Sequence, residues 1–166
     1  MKVLVVLEDP TLDQYIVKPI VEKPYMRGVK NVFDQIDGIV EDNPMVDLFL
    51  IVIDRDCDRE NHTGKLRIRV ERHEDTMVGC LAREEVEVWM LAAQNNLPAS
   101  WGEIRRHCDP KEHFAERWLA ANGFTSADVG HGRKRAMQAL PTNFRRVLSR
   151  CDELRELSAE LRARLP

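Results

Sequence analysis

The chain contains a run of six apolar residues, Leu48–Ile53, inside the segment VDLFLIVIDRDCD, which spans residues 46–58. Charged residues bound the run on both sides. A short apolar run rich in isoleucine and valine predicts a strand that is buried on both faces, and therefore a central strand of a parallel sheet. Three carboxylates, those of Asp54, Asp56 and Asp58, come directly after it. The sequence thus places acid at the carboxyl end of the predicted central strand.

Ligands of open α/β sheets bind outside the carboxyl ends of the strands. Side chains two residues apart in an extended segment point the same way, so we expect Asp54 and Asp56 to converge on one ion or phosphate. A second apolar run, Lys2–Leu7, also ends in acid, at Glu8 and Asp9. If the two strands are neighbours, both acidic clusters lie along one edge of the sheet.

A third predicted strand, Thr76–Ala82, is followed by a predicted helix, Arg83–Ala93. This helix carries Glu84 and Glu87 one turn apart, so both can face the same edge. Glu84 and Glu85 also suit a helix N-terminus, where acids are favoured, and simple capping stays an alternative for them. Several carboxylates at one edge repel one another unless a cation is present. Oxygen ligands without paired cysteine or histidine favour Mg²⁺ or Mn²⁺ over zinc.

The remaining pattern is mostly helical. Apolar spacing predicts a helix over Val32–Val40, and the polar segment Arg59–Asp75 favours a helix over a strand. One long amphipathic helix is predicted for Asn143–Leu165. We therefore predict an α/β fold with a Rossmann-like, mainly parallel sheet flanked by helices. Its core would span residues 1–97, and residues 98–166 would form a helical C-terminal extension packed on that core.

Composition sets wide limits on function. The 166 residues are 43% hydrophobic, which suits one compact domain, and a net charge of −3 shows no overall excess that would indicate nucleic acid or membrane. No segment is long enough to span a bilayer or to act as a signal peptide. The cysteines are far apart and form no C-x-x-C motif, so we expect reduced thiols and a cytoplasmic protein. They are Cys57, Cys80, Cys108 and Cys151.

Two acidic motifs resemble those of the TOPRIM domain, which occurs in topoisomerases, bacterial primases and the overcoming-lysogenization-defect nucleases. The segment VVLEDPTLD, residues 5–13, is similar to the glutamate motif, and IVIDRD, residues 51–56, is similar to the Asp-x-Asp motif. The segment LAREEVEVWML, residues 81–91, resembles the alanine, acid and tryptophan helix of small stand-alone TOPRIM-like proteins encoded beside an ATPase. The resemblance covers roughly the first two-thirds of the chain, the scale of a domain.

This resemblance implies a nuclease, or a nuclease-like subunit, that cleaves phosphodiester bonds with the help of a divalent metal. Asp54 and Asp56 would then hold Mg²⁺ or Mn²⁺, with Asp58 as an additional ligand. Glu8 would be a ligand or the general acid/base. Catalysis is thus expected to depend on acids from two different strands.

The resemblance also implies roles for residues later in the chain. Glu84 and Glu87 would bind a second ion, and Lys134 would neutralise the phosphate in the transition state. The substrate would be nucleic acid, with DNA favoured over RNA. An ATPase would be a partner protein, and a homodimer is an open alternative to a monomer. No membrane partner is expected. The residues expected to contact the nucleic-acid backbone are Arg133, Arg135, Arg145 and Arg146.

Two other functions remain open. The same acids resemble those of a phospho-receiver domain, in which Glu8 and Asp9 would bind Mg²⁺ and Asp54 would accept the phosphate. Receivers also carry a serine or threonine after the next strand and a lysine after the last, whereas this chain has Glu84 at the first place and no clear Lys-Pro turn at the second. The third alternative is a catalytically silent interaction module that retains the TOPRIM fold.

Overall fold

A computed structural model describes residues 1–7, 10–17, 19, 21, 25–28, 32–57, 59–83, 85–125 and 132–165. The strands are β1 (Val3–Leu7), β2 (Tyr25–Gly28), β3 (Leu48–Asp54) and β4 (Met77–Ala82). The helices that alternate with them are α1 (Pro10–Val17), α2 (Val32–Asp42) and α3 (Arg59–Arg72). The helices after β4 are α4 (Glu87–Ala92), α5 (Trp101–Ile104), a π-helical segment (Lys111–Ala115) continuous with α6 (Glu116–Ala121), α7 (Arg133–Met137), a short 3-10 helix (Pro141–Asn143), α8 (Phe144–Arg150) and α9 (Asp152–Arg164).

The sheet is parallel throughout the described part of the chain, in the order β2-β1-β3-β4. The chain first winds outward from β1 to β2 and then returns across β1 to β3. The order therefore reverses between β1 and β3, where Leu7 lies opposite Val52. On the other side of β3, Asp54 lies opposite Ala82. The predicted α/β fold, a parallel sheet flanked by helices, is confirmed.

Strand β3 is buried on both faces, as its apolar run predicted. None of its residues from Leu48 to Ile53 is more than 2% exposed. Successive side chains alternate between faces. Leu50 and Val52 pack with α4 and the C-terminal helices, whereas Phe49 and Ile51 pack with α2 and α3. Helices on both faces of the sheet are thus the consequence of a strand without a polar face.

The structure differs from the predicted elements at three places. Strand β2 was not predicted, and the helix expected from Arg83 begins only at Glu87. The single helix predicted for Asn143–Leu165 is wrong, because Cys151 has an extended backbone (φ −116°, ψ 99°) and separates α8 from α9. The Cys151 side chain is fully buried at this break. The change of direction lets α9 bury Leu154, Leu157 and Leu161 in the core.

Cysteine chemistry also differs from the prediction. Cys57 and Cys108 form a disulfide, with 5.3 Å between their Cα atoms, whereas Cys80 and Cys151 are free and buried. The expectation of reduced thiols is therefore wrong for one pair, and the argument that it gave for a cytoplasmic location is weakened. Within the described ranges, no helix has both the length and the apolar character that crossing a bilayer requires.

A buried ionic network attaches α9 to the helices beside it. The carboxylate of Glu153 accepts two hydrogen bonds from the Arg105 guanidinium, at 2.8 and 2.7 Å, and one from the Trp89 indole at 2.8 Å. Burial by itself would raise the pKa of Glu153, but these hydrogen bonds and the charge of Arg105 hold that pKa below its usual value. The network therefore joins an ionised, partly buried carboxylate to the buried guanidinium of Arg105.

We expect Glu153→Gln to lower the free energy of unfolding by about 3 kcal/mol, because the glutamine retains the shape but leaves the buried Arg105 charge without a counter-charge. Urea denaturation at neutral pH measures the change. Glu156→Gln, on the exposed side of the same helix, is the matched control and should change stability by less than about 0.5 kcal/mol. Equal losses in the two variants would contradict the proposed importance of the buried pair.

Candidate functional site

Asp54 ends β3 at the edge of the sheet where the carboxyl ends of the strands meet. Its side chain is partly buried, and its Oδ1 accepts the backbone N–H of Val86 at 2.9 Å. Val86 immediately precedes α4, and the first N–H groups of a helix have no acceptor within that helix. Asp54 therefore binds the backbone at the entry to α4, which begins four residues later than its sequence pattern predicted.

Asp56 does not continue the extended geometry of β3. Its φ of +49° is in the left-handed region, and its side chain is exposed. The strand alternation that was expected to point Asp54 and Asp56 in one direction ends at Asp54, so that geometric expectation is wrong. The Nδ1 of His62 lies 3.9 Å from the Asp56 carboxylate and 2.8 Å from the carbonyl oxygen of Arg55.

Glu87 and Arg133 form an ion pair with each other. The Oε1 of Glu87 lies 2.7 Å from Nη1 of Arg133, and Glu87 is only 6% exposed. The sequence predicted that Glu87 binds a metal ion and that Arg133 contacts nucleic acid. In the structure the two charges join α4 to α7, so each expected role requires that this pair be shared or opened.

Glu85 lies between β4 and α4, partly buried. Burial, with a smaller contribution from the nearby carboxylates of Glu87 and Glu112, raises its pKa to about 7, although the hydrogen bond from the Lys111 N–H and the charge of Lys111 act in the opposite direction. The backbone N–H of Lys111 donates to Glu85 Oε2 at 2.8 Å. Near neutral pH this carboxyl group is therefore present in both its protonated and its ionised form.

The raised pKa of Glu85 predicts that this residue destabilises the protein as the pH increases. In the unfolded chain the carboxyl loses its proton near pH 4.5, but in the folded chain it keeps the proton until about pH 7. We expect Glu85→Gln to stabilise the protein by roughly 1 kcal/mol at pH 8, a value reduced for partial solvent exposure, and to leave stability unchanged at pH 4.

Thermal or urea unfolding of both proteins at several pH values measures the difference. The glutamine can still accept the Lys111 N–H, so the comparison isolates the charge. A stability difference that does not change between pH 4 and pH 8 would contradict the shifted titration.

Two arginines of α8 cap the end of α4. Arg146 donates to the carbonyl oxygen of Ala93 at 2.8 Å, and Arg150 donates to those of Ala92 and Gln94 at 3.0 and 2.9 Å. The last carbonyls of a helix need donors from outside, and cations are favoured there. Arg146, predicted to contact nucleic acid, therefore already has a structural role.

The other predicted basic residues are more accessible. Arg135 and Arg145 are exposed, and the guanidinium of Arg135 lies 5.6 Å from the centre of the Phe124 ring. Lys134, predicted to neutralise the phosphate, lies on α7 and is partly exposed. The structure thus leaves Lys134, Arg135 and Arg145 open to solvent to some extent.

A complete cation site would require residues beyond those described. Glu8, Asp58 and Glu84, each a predicted ligand, lie outside the described residues. Within the described ranges, no group of three or more histidine, cysteine or acidic side chains could hold a metal ion. Asp54 supplies the oxygen donor that Mg²⁺ and Mn²⁺ prefer. The oxygen donor that the structure describes is therefore of the type that such an ion prefers. The complete set of ligands would depend on residues outside the described ranges.

The Cys57–Cys108 disulfide lies directly beside this edge. It joins the residue after Asp56 to the segment that leads to Lys111, whose N–H binds Glu85. The sequence gave no signal for either connection, because the two cysteines stand in no recognised spacing and a backbone N–H has no sequence signature. One disulfide and one hydrogen bond thus hold the segment before α6 against the loops after β3 and β4.

We expect two thiols per chain to react under denaturing, non-reducing conditions and four after reduction. Loss of the disulfide should lower the free energy of unfolding by about 2–4 kcal/mol, because the bridge connects residues 51 positions apart and restricts the unfolded chain. The variant with Cys57→Ser and Cys108→Ser should match the reduced wild type. A wild type that yields four thiols without reductant would contradict the bridge.

Comparisons with known protein families, with curated proteins and with solved structures find no match for this chain. The argument for a function therefore depends on the residues at the carboxyl edge of the sheet and on their chemistry.

Proposed function

We propose that the carboxyl edge of the sheet binds a divalent cation and hydrolyses phosphodiester bonds in nucleic acid, in the manner of a TOPRIM nuclease or nuclease-like subunit. The observation that carries this proposal is the reversal of strand order between β1 and β3. Ligands of open parallel sheets bind at such a reversal. Asp54 stands at the end of β3 there, and Leu7, which pairs with Val52, is followed in the chain by Glu8.

Asp54 and Glu8 would be the main ligands of Mg²⁺ or Mn²⁺, with Asp56, Asp58 and Glu84 as further oxygen donors. Such an ion, when bound, lowers the pKa of an attached water and stabilises negative charge on phosphate oxygens. Asp54 is already oriented by the N–H of Val86, which limits the movement of its carboxylate. Glu87 would take part only if its bond to Arg133 is shared.

The positive groups near α7 would bind the polyanionic substrate. Lys134 and Arg135 lie on α7, and Arg145 lies on the exposed side of α8. Phosphate contacts of this kind provide affinity without sequence preference. DNA is favoured over RNA only by the TOPRIM resemblance, and the same resemblance suggests an ATPase partner, since the chain contains no ATP-binding motif.

We expect Asp54→Asn to reduce Mn²⁺-dependent nicking of supercoiled plasmid by roughly a hundredfold, the size typical when one charged group that stabilises a transition state is removed. The asparagine oxygen can still accept the Val86 N–H, so the fold should be retained. Glu8→Gln should show a similar loss. Gel analysis of nicked and linear plasmid, with Mn²⁺, with Mg²⁺ and with EDTA, measures the rates.

Asp75→Asn is the matched control, because Asp75 is exposed and precedes β4 at the opposite edge of the sheet. It should cut at the wild-type rate. Equal cutting by wild type, Asp54→Asn and Glu8→Gln would remove these residues from the mechanism. Activity that persists in EDTA would contradict the role of a metal.

The phospho-receiver alternative uses the same edge but needs a hydroxyl side chain after β4. The structure has Ala82 at the end of β4, fully buried, followed by Arg83. No described residue at that point can therefore bind the phosphoryl group as a serine or threonine would. Incubation with acetyl phosphate separates the functions, since a receiver would acquire a phosphoryl group on Asp54. A silent interaction module would show neither labelling nor cleavage.

A further inference from the structure

Strand β4 lies at one end of the sheet, and its hydrogen bonds show which of its backbone groups face outward. Phe49 lies opposite Met77 in the register and donates its N–H to the carbonyl oxygen of Thr76 at 2.7 Å. In a parallel pair, a residue bonded in this way forms its backbone hydrogen bonds with the residues before and after its register partner. The backbone N–H and C=O of the partner itself then point away from that strand. The backbone N–H and C=O of Met77, Gly79 and Leu81 therefore point away from β3.

This outer edge forms the floor of a groove of about 650 Å³ between α3 and α9. Gly79 and Leu81 both line the groove and are partly exposed. A Cβ on Gly79 would lie 2.9 Å from the side chains of Leu66 and Val70, so the glycine lets α3 approach closely on one side. None of the hydrogen bonds between described residues uses the outward backbone groups of Gly79 or Leu81.

The wall formed by α9 is acidic. Asp152, Glu156 and Glu160 all line the groove, and their spacing of four residues places successive carboxylates about 6 Å apart along the helix. Asp152 and Glu160 also pair with Arg155 and Arg164 of α9, but such largely exposed pairs contribute little energy. The groove also contains basic residues, which lie away from the α9 wall: Arg55, Arg67 and Arg83.

The carboxylates of α9 also affect the pKa of a side chain on β4. Burial raises the pKa of the Cys80 thiol, and the carboxylates of Glu153, Glu156 and Glu160 raise it further. The acidic row therefore lies within electrostatic reach of β4.

We propose that this groove binds an extended segment of a partner protein as an additional strand on β4, with lysine or arginine at alternate positions facing α9. Alternate residues of a strand are about 6.6 Å apart, which nearly matches the spacing of the α9 carboxylates. Hydrogen bonds to Gly79 and Leu81 would provide affinity, and the basic side chains would provide selectivity. The groove extends to Arg55 and Arg83, which are neighbours in sequence of the proposed metal ligands, but Asp54, Asp56 and Glu87 do not line it. The proposal therefore does not depend on the nuclease site.

Charge disfavours a second copy of the chain as the occupant. Edge-to-edge pairing would bring another β4, with the sequence MVGCLA, into the groove. This strand contains no basic residue, so it would add no positive charge opposite the acidic row beyond Arg155 and Arg164 of α9 itself. An exposed strand edge is otherwise prone to self-association, and acidic side chains beside it are a common protection.

The test uses a synthetic nine-residue peptide of alternating lysine and valine, acetylated and amidated at its ends. Fluorescence anisotropy measures binding, and amide hydrogen exchange followed by NMR reports on the strand edge. We expect saturable binding and at least tenfold slower exchange at the amides of Gly79 and Leu81. A peptide of alternating glutamate and valine should bind at least tenfold more weakly.

Backbone methylation separates strand addition from attraction by charge alone. All lysine residues of a strand direct their N–H groups to one side and all valine residues to the other. Of two further peptides, one N-methylated at every lysine and one at every valine, only one should lose binding, by at least tenfold. Equal binding of both methylated peptides and the parent would overturn the proposal.

On the protein side, Glu156→Lys should weaken binding of the lysine peptide by about tenfold. Glu41→Lys changes the net charge equally but lies on α2 outside the groove, and should leave binding unchanged. Absence of saturable binding by the parent peptide would overturn the proposal. So would protein self-association that slows exchange at Gly79 without peptide, since it would assign the groove to a second copy.

Discussion

The burial of β3 on both of its faces is the constraint from which the rest of the structure follows. A strand without a polar face must be covered on both sides, and parallel neighbours joined by helices supply that cover. Helices α2 and α3 pack on one face, while α4, α8 and α9 pack on the other. The same arrangement brings the carboxyl ends of β1, β3 and β4 to one edge, so the position of the acidic residues is a by-product of core packing.

The elements that the sequence predicted are those with a strong local pattern. The apolar runs of β1 and β3 and the stripe of α2 were found because burial imposes a period on them. The break at Cys151 was not predictable, since Val147, Cys151, Leu154 and Leu161 keep a helical spacing across it. That break depends on where α9 must lie to bury its leucines on β4, which is a tertiary requirement. Strand β2 is short, and only its pairing with β1 identifies it.

The acidic residues themselves were predictable, but their partners were not. The sequence shows carboxylates after β1, β3 and β4, yet it does not show that Asp54 binds the Val86 N–H, that Glu87 meets Arg133, or that Glu85 receives the Lys111 N–H. Each partner lies 26 or more positions away in the chain. Such contacts offset the cost of placing charge in a partly buried position. A motif therefore locates candidate residues, and the fold determines which of them are already bonded to other parts of the chain.

The bond between Cys57 and Cys108 closes a covalent ring that contains α3, β4, α4 and α5. This ring includes the outer strand of the sheet and the loop that orients Asp54. A single peptide-bond cut anywhere between residues 58 and 107 would therefore leave both halves of the molecule attached. On a non-reducing gel such nicked protein would migrate as one species, and it would separate into two fragments only when a reductant is added.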